Sequence, residues 1–263
     1  MVIVILGVVG GMVAVFMRGP IDAYFASARR AALTDVADTA VRRISRDLRT
    51  SLPNSLLIKS AQCLQFIPTK TGGRYRTADT TLNDDTSLDF GRADTSFNML
   101  SRNSALPPNQ QIVVNDVIAV YNLGIAGANA YLGNNTTVVR AAPTESASPP
   151  PSETTIPITG KQFPLASGTN RFHVIPAGEP VVAYVCANSA LYRRAYSGDS
   201  NCGGTGAPGF LREAILARNV SDCSFETTGP DLQRNALVNI NLQITDMGET
   251  VSLQQTVNVN NTP

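Results

Sequence analysis

The first 17 residues form an apolar run, MVIVILGVVGGMVAVFM, and the first charged residue is Arg18. Spanning about 30 Å of hydrocarbon takes roughly 20 apolar residues, with a range of about 17 to 25. The run reaches that range, and it lacks the preceding basic region of a cleaved signal peptide. It therefore predicts a helix that lies in lipid or in the core of a filament. The side chains expected to make those contacts are Val2, Ile3, Val4, Ile5, Leu6, Val8, Val9, Val13, Val15 and Phe16.

An amphipathic helical pattern follows Gly19 and Pro20, where the sequence predicts a bend in the helix or a restart. Apolar positions then recur four and three residues apart, which makes one stripe along a helix, while charged residues occupy the rest of the circumference. We expect the stripe to pack against a sheet, and the helix to end around Thr50 to Leu52, because Pro53 restricts the residue before it. The stripe consists of Leu33, Ala37, Ala40, Ile44 and Leu48.

Strand patterns dominate the rest of the chain. The clearest lies near its end, where apolar and polar residues alternate from Val238 to Ile244 and again from Val251 to Val259. A turn over residues 246–249 separates the two stretches, so they predict an antiparallel hairpin. The stretch APTESASPPPS is rich in proline and serine and predicts an exposed loop near residues 142–153.

These patterns together predict an α+β fold, in which one long N-terminal helix, apolar and then amphipathic, packs on an antiparallel β-sheet head. An apolar sheet face and an apolar helix stripe each need a partner, and packing them together satisfies both. The expected segments are an apolar transmembrane or filament-core helix over 1–20, its amphipathic continuation over 21–52, and a β-rich globular head over 53–263.

Composition argues against several functions. The formal net charge is +1 and charged residues are 16% of the chain, below the roughly 25% of an ordinary soluble domain. A net charge this small does not indicate a nucleic-acid partner. Histidine chemistry would depend on one imidazole, His173 in the extended stretch RFHVIP, which we interpret as structural. No nucleophile or paired carboxylates emerge from spacing, so we expect neither an enzyme nor a cofactor.

The chain has four cysteines, and none shows the C-x-x-C spacing of a zinc or redox site. An even count fits disulfides formed in an oxidising compartment. Cys186 and Cys202 flank a polar loop, whose closure would stabilise the fold by about 3 kcal/mol, so we expect them to pair. Cys63 and Cys223 lie in apparent strands and are the second expected pair. The alternative is that some of the four are free and buried.

Five aspartates cluster in a polar stretch between residues 79 and 94. Oxygen-rich loops can bind calcium, but the spacing does not match an EF-hand. A solvated surface loop explains the same residues, so we expect no metal site. The cluster consists of Asp79, Asp84, Asp85, Asp89 and Asp94.

The order of MVIVILGVVGGM, the Gly-Pro pair and DVADTAVRRISRDLRTSLPNS resembles the type IV pilin and pseudopilin superfamily. Within it, the chain is most similar to the minor pilin-like biogenesis proteins of the MshO type from the mannose-sensitive haemagglutinin (MSHA) pilus. Segments of the head, CLQFIPT, LDFGRADTSFNML, VYNLG and SLQQTVNVNNTP, carry the likeness over most of the chain.

The resemblance implies a minor pilin-like structural subunit that acts in pilus assembly, at the tip or in priming. It implies other pilin subunits, the inner-membrane assembly machinery and membrane lipid as partners. The subunit would sit in the bacterial inner membrane with its head in the periplasm, and would later join an extracellular pilus. The family's basic leader and Phe-Thr-Leu-x-Glu start are not among these residues, so prepilin peptidase is an expected partner if a leader is encoded upstream.

Two alternatives remain open. One is a membrane-anchored extracytoplasmic binding module whose head recognises a glycan or another surface polymer. The other is a pseudopilin of a type II secretion system, which would share the N-terminal helix.

Overall fold

The structure is a computed structural model that describes residues 2–79, 84–146, 153–228 and 235–263. Helix α1 spans Val2–Arg49, and two short 3-10 helices lie at Asn103–Ala105 and Ala130–Leu132. The strands are β1 Leu57–Ser60, β2 Cys63–Phe66, β3 Thr71–Arg74, β4 Asp94–Met99, β5 Val117–Val120, β6 Thr136–Val138, β7 Thr144–Glu145, β8 Thr154–Lys161, β9 Arg171–Ile175, β10 Val181–Ala187, β11 Ala190–Tyr196, β12 Phe210–Arg218, β13 Val220–Thr228, β14 Asn235–Asp246 and β15 Glu249–Asn260.

Helix α1 continues through Gly19 and Pro20 as one element. The helix therefore does not restart there, and the bend at these two residues stays a prediction. It ends at Arg49, next to the predicted end, and the chain leaves it towards Pro53, whose ring disfavours helical backbone before it.

Four sheets make up the described head, and every strand pair in them is antiparallel. Sheet 1 has the order β1-β2-β10-β11-β12 and sheet 2 the order β13-β14-β15. Sheet 3 has the order β3-β9-β5-β6 and sheet 4 the order β4-β8-β7.

The expected fold class, α+β with a long helix packed on one antiparallel sheet in the manner of a pilin, is wrong. The described chain is mainly β, with 15 strands in four sheets, and the described side chains that α1 contributes to a core begin at Leu33. The alternation of apolar and polar residues within one strand could not predict four sheets, because strands far apart in sequence pair with each other, as β3 does with β9. A sheet that is apolar on both faces needs another layer packed against each face, so the head contains several sheets.

Sheet 1 separates two of the three cores. Side chains of a strand alternate between its faces, so Val182 and Tyr184 of β10 face a core shared with α1 and sheet 2. Ala183 and Val185 face the opposite core, which sheet 3 completes. A third core lies between sheets 3 and 4. The head is thus a stack of layers, and the second half of α1 lies in the first of them.

The predicted hairpin near the end of the chain is confirmed. β14 and β15 pair in register from Asn235↔Asn260 to Asp246↔Glu249, and Met247 and Gly248 form the two-residue turn with positive φ of 46° and 83°. A two-residue turn of this kind matches the right-handed twist of the paired strands.

The predicted disulfide pairs are wrong. Cys63 pairs with Cys202, and Cys186 pairs with Cys223, with Cα separations of 6.4 and 6.3 Å. The reason is the alternation of side chains along paired strands. Cys63 on β2 stands opposite Val185 on β10, so it faces the same core as Val185, where Cys202 also lies.

Cys186 is the next residue on β10 and therefore points to the other face, towards α1. Cys223 of β13 lies in that same core, so the second disulfide joins sheet 1 to sheet 2. A bond between Cys63 and Cys223 would have to cross sheet 1.

Part of the predicted proline- and serine-rich loop has regular structure. Thr144–Glu145 forms strand β7 at the edge of sheet 4, and β8 begins at Thr154. Residues 147–152 of that loop lie outside the described residues, as does Met1.

Candidate functional site: the exposed segment of the helix

Residues 2–25 of α1 are here called the exposed segment. Every side chain described in this segment is exposed. The residues predicted to contact lipid or neighbouring helices are 51% to 86% exposed, and they are Val2, Ile3, Val4, Ile5, Leu6, Val8, Val9 and Phe16. The side chains of Val13 and Val15 lie outside the described ones.

Larger apolar side chains extend this surface towards the head. Met12, Met17 and Ile21 are 47% to 67% exposed. Tyr24 and Phe25 are 71% and 54% exposed and contact each other edge to face, with ring centroids 5.8 Å apart. At about 1.5 Å per residue the exposed segment is roughly 36 Å long. The result is a long apolar surface that no other described part of the chain covers.

Within residues 2–79, 84–146, 153–228 and 235–263, no helix combines the length and the apolar character that a membrane-crossing helix requires.

The second half of α1 lies in the first core. Ala37, Ala40, Ile44 and Leu48, four of the five residues of the predicted stripe, are 0% to 2% exposed. They contact apolar side chains of sheets 1 and 2, and Leu33 is partly buried against the same core. A stripe of this kind covers one face of a helix, so the opposite face of α1 stays in solvent.

A charged network fixes the end of α1 on sheet 1. The Asp47 carboxylate accepts a hydrogen bond of 2.7 Å from the Tyr184 hydroxyl and one of 2.8 Å from Arg193 Nε. Arg193 also donates to both carboxylate oxygens of Glu179, at 2.7 and 2.9 Å, and Arg212 pairs with the same carboxylate. The side chains of Asp47, Glu179 and Arg193 are 22%, 17% and 13% exposed.

This network shifts the pKa of its members. Burial works against the charged form of Glu179, but hydrogen bonds from Arg193 and Arg212 hold its pKa below the ordinary value. Burial and then the nearby Asp47 carboxylate raise the pKa of Tyr184, so its hydroxyl stays a proton donor. Both shifts favour the observed hydrogen bonds at neutral pH.

A second contact joins α1 to the head at a position nearer to the exposed segment. Arg30 Nε donates to Glu249 Oε2 at 2.5 Å, which links the helix to the tip of the β14–β15 hairpin. The Arg30 side chain is 65% exposed, and ion pairs of that exposure contribute about 0 to 1 kcal/mol. The direction of α1 therefore depends on the stripe and on Asp47 more than on Arg30.

The aspartates of the cluster have hydrogen-bond and ion-pair partners in the same stretch of the chain. Asp79 accepts hydrogen bonds from the backbone and hydroxyl of Ser87, and Asp85 and Asp89 pair with Arg92. Asp94 is buried, and burial raises its pKa. In the described part of the chain no three His, Cys, Asp or Glu side chains are placed to hold a metal ion.

His173 lies on β9, opposite Gly72 and Ala119 of the neighbouring strands. Burial, and then the charge of Arg171, lower the pKa of its imidazole. The ring is therefore neutral at neutral pH.

Comparison of the chain with protein-family models, curated proteins and solved structures found no match. The resemblance to type IV pilins therefore stays a prediction that depends on the quoted motifs.

Sequence reasoning missed the network around Asp47. Its members come from α1, β10, β11, β12 and the turn before β10, and none belongs to a recognisable motif. The only available signal was Asp47 itself, a charged residue next to Leu48 of the apolar stripe.

Proposed function

We propose that the chain is a minor pilin-like structural subunit of a type IV pilus, of the MSHA type that its motifs resemble, and that it acts in assembly rather than in catalysis. Its partners would be other pilin subunits, the inner-membrane assembly machinery and membrane lipid, with prepilin peptidase acting on any leader encoded upstream. The observation that supports the proposal is the exposed segment, an apolar helical surface attached to a folded head.

The size of this surface explains why it needs a partner. Fully burying one valine, leucine, isoleucine or phenylalanine side chain is worth about 1.5 to 3 kcal/mol relative to water. Eight such exposed side chains therefore represent on the order of 10 kcal/mol, comparable to the whole stability of a domain. A chain that carries them would insert them in lipid or pack them against other helices.

The surface also has the shape that a filament core requires. No charged residue occurs between Val2 and Met17, so apolar side chains surround the helix on all sides instead of forming one stripe. Such a helix can leave lipid and enter a bundle of similar helices with little change in its surroundings. Assembly would then consist of an exchange of lipid contacts for helix contacts.

The head would contribute a fixed orientation. Because the stripe and the Asp47 network hold the second half of α1, the exposed segment leaves the head in one direction. Subunits with a fixed angle between helix and head can repeat in a regular fibre. A position at the tip or in priming, where few copies are needed, is what the MshO resemblance adds to this proposal.

Complementation in the source bacterium tests the proposal. The gene is deleted, and surface fibres are counted by electron microscopy after complementation with the full-length protein or with a version in which residues 2–25 are replaced by a cleavable secretion signal. The proposal predicts that fibres return with the full-length protein and not with the replaced version, while both heads are detected outside the cytoplasm.

The same experiment separates the alternatives. A pseudopilin would leave surface fibres intact and reduce the export of secreted proteins. An anchored binding module would leave both unchanged, and its head would keep its ligand when the exposed segment is replaced. Either result would overturn the proposed role in a pilus.

A further inference from the structure

The two disulfides of the head have different surroundings. Cys63 and Cys202 are 3% and 9% exposed and lie in the core that sheets 1 and 3 share. Cys186 and Cys223 instead line a cavity of about 310 Å³ where sheets 1 and 2 meet. Cys186 is partly exposed there, whereas Cys223 is 4% exposed. One disulfide is thus enclosed by protein, and the other can be reached from solvent at its Cys186 end.

Backbone hydrogen bonds hold the walls of this cavity. The strands β10 and β11 are joined by a two-residue turn of Asn188 and Ser189, with positive φ of 50° and 53°, as a tight turn between antiparallel strands requires. Val220 N, at the start of β13, donates to Ser189 O at 3.0 Å, and Cys186 N donates to Gln62 O at 2.9 Å. Access to Cys186 is therefore part of the folded structure and does not depend on local unfolding.

Access decides which disulfide can react. Exchange begins when a thiolate attacks one sulfur of a disulfide, so its rate depends on access to that sulfur. A buried disulfide reacts only after the protein opens locally, and such opening costs free energy. The surroundings therefore favour exchange at Cys186–Cys223 over exchange at Cys63–Cys202.

The charge of the cavity restricts the attacking thiol. Among the described residues that line it, Asp222 is the one that carries a charge. A carboxylate repels an approaching anion, so the cavity disfavours a small anionic thiol such as glutathione. A protein thiol with an uncharged or basic surface around it avoids this repulsion.

We propose that Cys186 is the site at which a dithiol–disulfide oxidoreductase, a protein with two reactive cysteines, exchanges with this chain. The thiolate of its first cysteine attacks Cys186 Sγ, the bond to Cys223 breaks, and Cys223 leaves as a thiolate that takes a proton from water. The second cysteine of the oxidoreductase, as a thiolate, attacks the first and releases Cys186. Two electrons pass from the dithiol to the disulfide, and the same steps in reverse form the Cys186–Cys223 bond from two thiols.

Opening the bond removes the disulfide link between sheets 1 and 2. Backbone hydrogen bonds join the sheets on both sides of Cys223, from Val220 N to Ser189 O and from Phe225 N to Ala61 O, at 3.0 and 2.8 Å. Without the disulfide between them, both amides should open to solvent more often. The inference does not depend on the proposed role in a pilus, because it concerns the head alone.

Limited reduction tests which disulfide exchanges. The full-length oxidised protein in detergent micelles is treated with dithiothreitol, quenched with an alkylating agent and analysed by mass spectrometry. We expect Cys186 and Cys223 to be alkylated at least about tenfold faster than Cys63 and Cys202. Equal rates, or a faster reaction of the other pair, would overturn the inference.

A trapping experiment tests which sulfur is attacked and by what. A reduced thioredoxin whose second reactive cysteine is replaced by serine forms a mixed disulfide that it cannot resolve. We expect at least about ten times more of this species at Cys186 than at Cys223, because Cys223 is buried. A mixed disulfide mainly at Cys223 would contradict the assignment of Cys186. If dithiothreitol reduces the bond and no mixed disulfide forms, the cavity admits small thiols only and the protein partner is wrong.

The variant Asp222→Asn tests whether the attacking thiolate enters through the cavity. Glu226→Gln is the matched control, because Glu226 is exposed on the same strand and lies outside the cavity. We expect glutathione to reduce Cys186–Cys223 about twofold faster or more in Asp222→Asn, and at an unchanged rate in Glu226→Gln. Equal rates in the two variants would show that the cavity is not the route of attack.

Hydrogen exchange tests the consequence of opening the bond. After selective reduction of Cys186–Cys223, the amides of Val220 and Phe225 should exchange at least about tenfold faster than in the oxidised protein. Exchange in β5 and β9, which lie in sheet 3, should stay unchanged. Unchanged exchange at Val220 and Phe225 would show that the disulfide does not hold sheet 2 to sheet 1.

Discussion

Residues 2–25 and residues 37–48 belong to one continuous helix, yet they have opposite surroundings. All described side chains of the first group are exposed, whereas Ala37, Ile44 and Leu48 are 0% exposed. The sequences differ in the same way. Residues 2–17 of the first group carry no charge on any side of the helix, and the second group has one apolar stripe among charges. A stripe can be buried by the chain's own sheets, whereas a helix that is apolar on all sides needs a partner all around it.

The largest expected effect concerns the same substitution in the two parts of the helix. Ile44→Ala leaves a cavity in the core shared by α1 and sheets 1 and 2, and should lower the free energy of unfolding by about 3 kcal/mol. Ile5→Ala, at a residue that is 60% exposed, should change it by less than about 0.5 kcal/mol. Denaturant unfolding of both variants in detergent micelles measures the difference. Equal losses would mean that the exposed segment packs on the head.

The next effect concerns the charges on the helix. Asp47→Ala leaves the guanidinium of Arg193 buried with one of its two partners missing, so we expect a loss of about 2 kcal/mol. Asp38→Ala is the matched control, because Asp38 pairs with Arg42 at the surface, where their side chains are 45% and 75% exposed. A pair of that kind on a helix is worth about 0.2 to 0.5 kcal/mol. If the two variants lose equal stability, the Asp47 network does not hold the helix to the head.

A smaller effect should appear in acid. The pKa of Glu179 is lower in the folded protein than its ordinary value, so the ionised carboxylate contributes stability above the unfolded-state pKa of about 4.3. That contribution is lost as the pH falls through the folded-state pKa. Unfolding measured between about pH 7 and pH 3 should show a weaker pH dependence for Glu179→Gln than for the unmodified protein. An unchanged pH dependence would show that the arginine partners do not lower the pKa of Glu179.

Several features of the fold could be predicted because they depend on residues that are close together in the sequence. The β14–β15 hairpin follows from alternation on both sides of a short turn, and the end of α1 follows from Pro53. The burial of Ala37 and Ile44 agrees with an apolar stripe at helical spacing. In each case the residues that decide the structure lie in one short stretch of the sequence.

The features that escaped prediction depend on strands that pair across long distances. β2 pairs with β10, more than a hundred positions later, and this register determines that Cys63 and Cys186 face opposite sides of sheet 1. The disulfides follow from that register and not from loop length.

The proposed role of the exposed segment is tested most directly by the incorporation of Val9→Asp into surface fibres, relative to Val9→Leu, measured by immunogold electron microscopy in the source bacterium. An aspartate at the centre of an apolar helix costs about 2.5 to 3.5 kcal/mol in lipid, while Val9 contributes no buried contact to the head. We expect incorporation of Val9→Asp to fall at least about tenfold, with the free energy of unfolding of the head unchanged. Equal incorporation of the two variants would contradict the assignment of the exposed segment as the surface that assembles.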